Sequence, residues 1–116
     1  MARTALTKNT GIVTNPTAGV LLVWTAADTV NFNSFAMNGK DLVLVWNTGA
    51  SPYTVTITSA PSSNLGRLQD IVAETIVAGT VRCYGVPQLD GWRQTDGAFY
   101  LQASNAAVQF AILSLP

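Results

Sequence analysis

Residues 38–58, NGKDLVLVWNTGASPYTVTIT, decide the fold class. Leu42 to Trp46 is an apolar run of strand length, preceded by the turn pair Asn38-Gly39. A polar break over residues 47–52 follows, and then strict alternation: Tyr53, Val55 and Ile57 on one face, Thr54, Thr56 and Thr58 on the other. A period of two built from β-branched and aromatic residues is the mark of a half-buried strand. The first strand is expected to be covered on both faces, and the second to show its threonines to solvent or a partner. The short, Gly-containing connection suggests an antiparallel hairpin.

The same signals recur along the chain. Val20 to Thr25 and Val30 to Phe35 read as strands before this stretch. Ile71 to Val77 and Val81 to Val86 follow it, joined as a hairpin across Ala78-Gly79, and Ala98 to Ser104 and Val108 to Leu115 close the chain as another. Turn signals fall every ~8–12 residues and no segment has a convincing helical period, the pattern of an all-β sandwich or barrel. The expectation is a single β-sandwich, jelly-roll-like or a related β-barrel, of about eight short antiparallel strands. Val43, Val45, Val55, Ile57, Val81, Phe110 and Ile112 should form its core, joined by Trp24 and Trp46. Residues 1–17, rich in Thr and Asn and broken by Gly11 and Pro16, read as an extended N-terminal arm before a domain spanning 18–116.

A chain of 116 residues suits one domain able to fold without staples. Its charged fraction is 10%, against about 25% in a typical soluble domain. Six basic and six acidic residues leave no net charge. So little charge favours association, and a homo-oligomer, most simply a trimer, is expected. With no basic run a nucleic-acid partner is not expected, and no apolar stretch is long enough for a membrane helix. The first residues carry no signal-peptide pattern, which suits synthesis in the cytoplasm.

Catalytic chemistry finds little support. There is no histidine, so the usual general base and commonest metal ligand are missing. Cys83, the single cysteine, reads as a small buried hydrophobe, and Asp90 and Asp96 as turn residues before glycine rather than metal ligands. No cofactor and no enzymatic activity are expected. Trp92, beside Arg93 in the loop PQLDGWRQTDG (residues 87–97), has two open readings: a partner or sugar-stacking anchor, or a side chain folded over the sandwich end. Phe99 and Tyr100 are adjacent, so they face opposite sides of their strand.

The order of TAADTVNFNSFAMNGKDLVLVWNTGASPYTVTIT, AGTVRCYGVP, WRQTDGAFYLQAS and VQFAILSL resembles the capsid decoration, or cement, proteins of tailed bacteriophages. The resemblance runs from about Val20 to the end. It implies a structural virion protein that binds the outer surface of an assembled head, has the major capsid protein as partner, and reinforces the shell, often as a trimer. It also implies a β-rich fold with an N-terminal arm on the capsid. Arg3, Leu6, Lys8, Ile12 and Val13 would then be arm contacts, with Arg67, Trp92 and Arg93 as loop contacts. The arm should be removable without unfolding the domain. The last strand, through Phe110, Leu113 and Leu115, is the candidate oligomer seam. A carbohydrate-binding or tail-associated adhesin module using Trp92 and Tyr100 is the alternative.

Overall fold

The structure, a computed structural model, describes residues 3–15, 17–60 and 70–116. It is an all-β sandwich with ten strands among the described residues. In chain order these are β1 (Thr4–Ala5), β2 (Lys8–Asn9), β3 (Thr25–Ala26), β4 (Asn33–Ala36), β5 (Asp41–Asn47), β6 (Tyr53–Thr58), β7 (Ile71–Ile76), β8 (Val81–Cys83), β9 (Ala98–Ala103) and β10 (Val108–Ser114). One helical turn, α1 (Leu89–Trp92), precedes β9. Sheet I has the order β1-β4-β9-β6-β7, and sheet II the order β2-β10-β5-β8, with β3 also on β10.

The alternation in residues 38–58 is realised as read. Along β5, Val43 and Val45 point inward, as do Val55 and Ile57 along β6, and all four are fully buried. They meet Phe99 and Leu101 of β9 and Val108, Phe110 and Ile112 of β10 in a single core. Val81 does not join it. It is 51% exposed, because β8 is a three-residue edge strand and Val81 pairs with the outward-facing Trp46.

The three expected hairpins are corrected to arches between the sheets. β5 and β6 lie in different sheets, as do β7 and β8, and β9 and β10. Neighbouring strands sit about 4.8 Å apart and facing sheets about 10 Å apart, and four or five residues span either gap. Loop length therefore cannot distinguish them. In the β5–β6 arch, Gly49 is required by space: a Cβ there would stand 2.8 Å from the Tyr53 ring and 3.2 Å from Ala107 Cβ. Asn47, fully buried, holds the same arch. Its Nδ2 donates to the carbonyls of Ser51 and Ile76, both at 2.9 Å, and its Oδ1 accepts from Gly49 N–H.

The expected free arm is corrected over its first half. β1 adds in parallel to β4 at the edge of sheet I, and β2 adds in parallel to β10 in sheet II. Residues 4–9 are thus a strap across the two sheets. Leu6 lies between them, 7% exposed, in the core. The strand expected over Val20 to Thr25 shrinks to β3, and that over Val30 to Phe35 begins after a turn at Asn33. In that turn Asp28 takes the N–H groups of Val30 and Asn31 and the hydroxyl of Thr4.

Candidate functional site

The two outer faces of the sandwich differ in chemistry. On sheet I the outward positions include Ser34, Thr54, Thr56, Thr58 and Gln102, the polar face expected of a strand that meets water. On sheet II they are Leu42, Leu44 and Trp46 of β5 and Gln109, Ala111 and Leu113 of β10. Cross-strand partners share a face. The pairings therefore set rows across sheet II: Ala26-Gln109-Trp46-Val81, Ala111-Leu44-Cys83 and Leu113-Leu42. No charged residue occurs in these rows. Trp24, just before β3, lays its indole edge against Trp46, with ring centroids 5.3 Å apart. Both tryptophans are therefore half-buried on the outside of sheet II, not in the core.

A loop, residues 10–22, stands at the edge of this face, between β2 and β3. Its root is fastened. Buried Asn9 accepts the N–H of Val23 at 2.7 Å and donates to the carbonyls of Val23 and Ile112 at 3.2 Å. Beyond the root three apolar side chains are bare, Val13 at 53% exposure, Val20 at 42% and Leu21 at 87%, beside exposed Thr14, Asn15 and Thr17. Between its limbs is an open cavity of about 340 Å³ lined by Ile12, Val13, Val20 and Leu22. From Asn9 to Ala27 the sequence has no charge. A short excursion with pinned ends is the form of an Ω-loop, which is often functional.

The residues expected to contact a capsid separate into two groups. Three of them are engaged inside the chain. The Arg3 guanidinium donates to the carbonyls of Asn33 and Leu101, each at 3.2 Å, and lies 4.0 Å from the Tyr100 ring centroid. Burial lowers its pKa below the ordinary arginine value, opposed by Tyr100 and Asp96. Tyr100 in turn donates to Asp96, a bond that lowers the carboxyl and raises the phenol. Lys8 reaches Asp41 Oδ1 at 2.9 Å, and Asp41 is 1% exposed. Leu6 is core. Ile12 and Val13 belong instead to the projecting loop.

Of the loop contacts, Arg67 lies outside the described residues, and Arg93 is exposed. Trp92 folds back onto the sandwich end, 6.0 Å from Phe99 between ring centroids and packed against the core. It lines a cavity of only about 60 Å³ with Ile57, Ile71, Tyr84, Pro87 and Phe99. Tyr84 sits there with its hydroxyl donating to Glu74, its pKa raised first by burial and then by that carboxylate.

In the expected seam, Phe110 is 1% exposed inside the core and is unavailable to a partner. Leu113 lies on the outer face of sheet II, and Leu115 is half-buried just past β10. Cys83, expected to be buried, is exposed on the same face. The sequence signal for this surface was present in the apolar residues at both alternations of β5 and β10. No family model, curated protein or solved structure matches the chain.

Proposed function

We propose that this chain is a structural virion protein that binds the outer surface of a bacteriophage capsid and stabilises the shell, working as a homotrimer on the major capsid protein. The observation that supports the reading best is the uncharged apolar surface formed by the outside of sheet II and the pinned loop 10–22. Val13, Val20 and Leu21 of the loop and Val81 of β8 are exposed there, and an apolar patch of that kind is fitted for assembly. In this proposal the capsid contacts centre on Ile12, Val13 and their loop neighbours Val20 and Leu21. Leu6 and Lys8 anchor the strap that leads into the loop, while Arg3 is held on sheet I.

The adhesin alternative draws less support from the two aromatics that motivated it. Trp92 is turned against Phe99, and one face of the Tyr100 ring is covered by Arg3. Co-sedimentation of the purified protein with expanded phage heads tests the decoration role. Saturable binding, together with greater resistance of the heads to heat or chelators, is the expected result. Heads that remain bare at saturating protein would refute it.

A further inference from the structure

We infer that Asn38-Gly39, the turn before β5, is a site of spontaneous covalent change: the Asn38 side chain closes onto Gly39 N and reopens as isoaspartate or aspartate, and this loosens the N-terminal strap.

Ring closure needs a backbone nitrogen that is uncrowded and unbonded, beside an asparagine amide that is free to lose ammonia. Asn38 is the only asparagine in the sequence followed by glycine. Gly39 has φ 84°, so the turn itself demands the residue that obstructs the nitrogen least. Its N–H donates to none of the described residues, and neither does Asn38 Nδ2, the nitrogen that leaves. The Asn38 side chain is exposed. Its Oδ1 accepts the Lys40 N–H at 2.8 Å, which folds the amide over the backbone of the turn and draws electrons from Cγ. Asn9, Asn33 and Asn47, by contrast, are buried with both amide atoms bonded. Asn105 makes the same turn, accepting the Ala107 N–H at 2.8 Å, but Ala106 puts a Cβ beside the attacking nitrogen.

The atoms balance with water alone. Gly39 N bonds to Cγ as the Cγ–Nδ2 bond breaks. The glycine proton passes to solvent, the departing nitrogen takes one up, and ammonia leaves behind a succinimide ring. Water then opens the ring at either carbonyl. Attack at Cγ gives aspartate. Attack at the Asn38 main-chain carbonyl gives isoaspartate, whose backbone runs through the side chain and is longer by one carbon.

The turn reaches the strap through Asp41. The Asn38 N–H donates to Asp41 Oδ2 at 3.0 Å, and Lys8 of β2 stands 2.9 Å from Oδ1 of the same carboxylate, which is 1% exposed. Either product puts a new carboxylate three residues from this buried one, in a chain whose charges otherwise cancel. Isoaspartate also lengthens the loop that closes the bond from Asn38 to Asp41. Like charge beside Asp41 and a lost N–H donor both disfavour the buried anion that Lys8 meets.

Incubation of the purified full chain in mildly alkaline buffer at body temperature, followed by anion exchange and peptide fragmentation, tests this. One acidic form should accumulate from the folded protein with release of ammonia, changed at Asn38 and with Asn105 still an amide. Asn38→Ser keeps an oxygen for the Lys40 N–H but has no amide, so it should yield none. The isolated isoaspartate form should melt at least about 4 °C below fresh protein. In the chain carrying both Lys8→Met and Asp41→Asn, where no buried ion remains, that fall should shrink to about half or less. A folded chain whose Asn38 stays intact overturns the inference. So does faster change at Asn105, an isoaspartate form that melts with fresh protein, or an equal fall in the doubly substituted chain.

Discussion

Removing residues 1–9 should unfold this domain or bring it close to unfolding. The strap contributes Leu6, 7% exposed between the sheets, and losing a leucine so placed costs about 2–5 kcal/mol. It also contributes Lys8, whose ammonium is 2.9 Å from Oδ1 of Asp41. Removal of one partner from a buried pair costs about 3–5 kcal/mol, because the other charge is left uncompensated. Their sum is about 5–10 kcal/mol; the two losses share a site and do not add strictly, and the backbone bonds of β1 and β2 come on top. A chain of this length has about 6–17 kcal/mol in total.

Single substitutions grade the effect. With an unfolding entropy of roughly 0.24 kcal/mol/K for 116 residues, Leu6→Ala at about 3 kcal/mol should lower Tm by about 12 °C. Lys8→Met should cause a fall of similar size. Adding Asp41→Asn to it should restore much of the loss, since a neutral amide still accepts the Asn38 N–H and needs no counter-ion. Differential scanning calorimetry with near-ultraviolet circular dichroism provides the readout. If the chain lacking residues 1–9 melts cooperatively within about 3 °C of the full chain, the strap is peripheral and this reasoning fails.

Asn47→Ala should cost about 2–3 kcal/mol, because it removes a fully buried side chain that satisfies one N–H and two carbonyls, the Ile76 carbonyl among them buried; a Tm within about 4 °C of wild type would contradict that. Asp28 is held at about 2 by the Thr4 hydroxyl first and then by the Asn31 and Val30 N–H groups. Its folded value is depressed, so its contribution to stability is present above the ordinary carboxylate range near pH 4 and is lost as pH falls towards 2. Carboxyl NMR should place its midpoint near 2, and a midpoint near 4 would refute the assignment. Cys83→Ser should change stability by no more than about 0.5 kcal/mol, since the thiol is exposed. A thiol reagent should label the folded protein promptly, and resistance would place Cys83 in the interior.

What could be read in advance was whatever depends on local period. The alternation through Tyr53 to Thr58 and the doubly apolar run Leu42 to Trp46 gave the sandwich and four of the seven core residues named from sequence, and the last apolar run, Val108 to Leu115, gave Phe110 and Ile112. Val81 failed because alternation identifies two faces of a strand without saying which one meets the core. Trp24 and Trp46 failed for the same reason: an apolar run marks surface that favours cover, and the cover lies on the outside of sheet II. The strap was hidden for another reason. Arg3, Lys8 and Asn9 look like a polar terminus until Leu101, Asp41 and Ile112, about a hundred positions away in two of the three cases, are folded beside them. Buried polar residues are specified by such distant partners, and no local pattern contains them. The outer face of sheet II lies between these limits. Leu42, Leu44 and Leu113 already showed as surplus apolar positions on strands that had enough for a core. Only the pairing of β5 with β10 gathers them onto one surface, and only then does the surplus become a place where another molecule can sit.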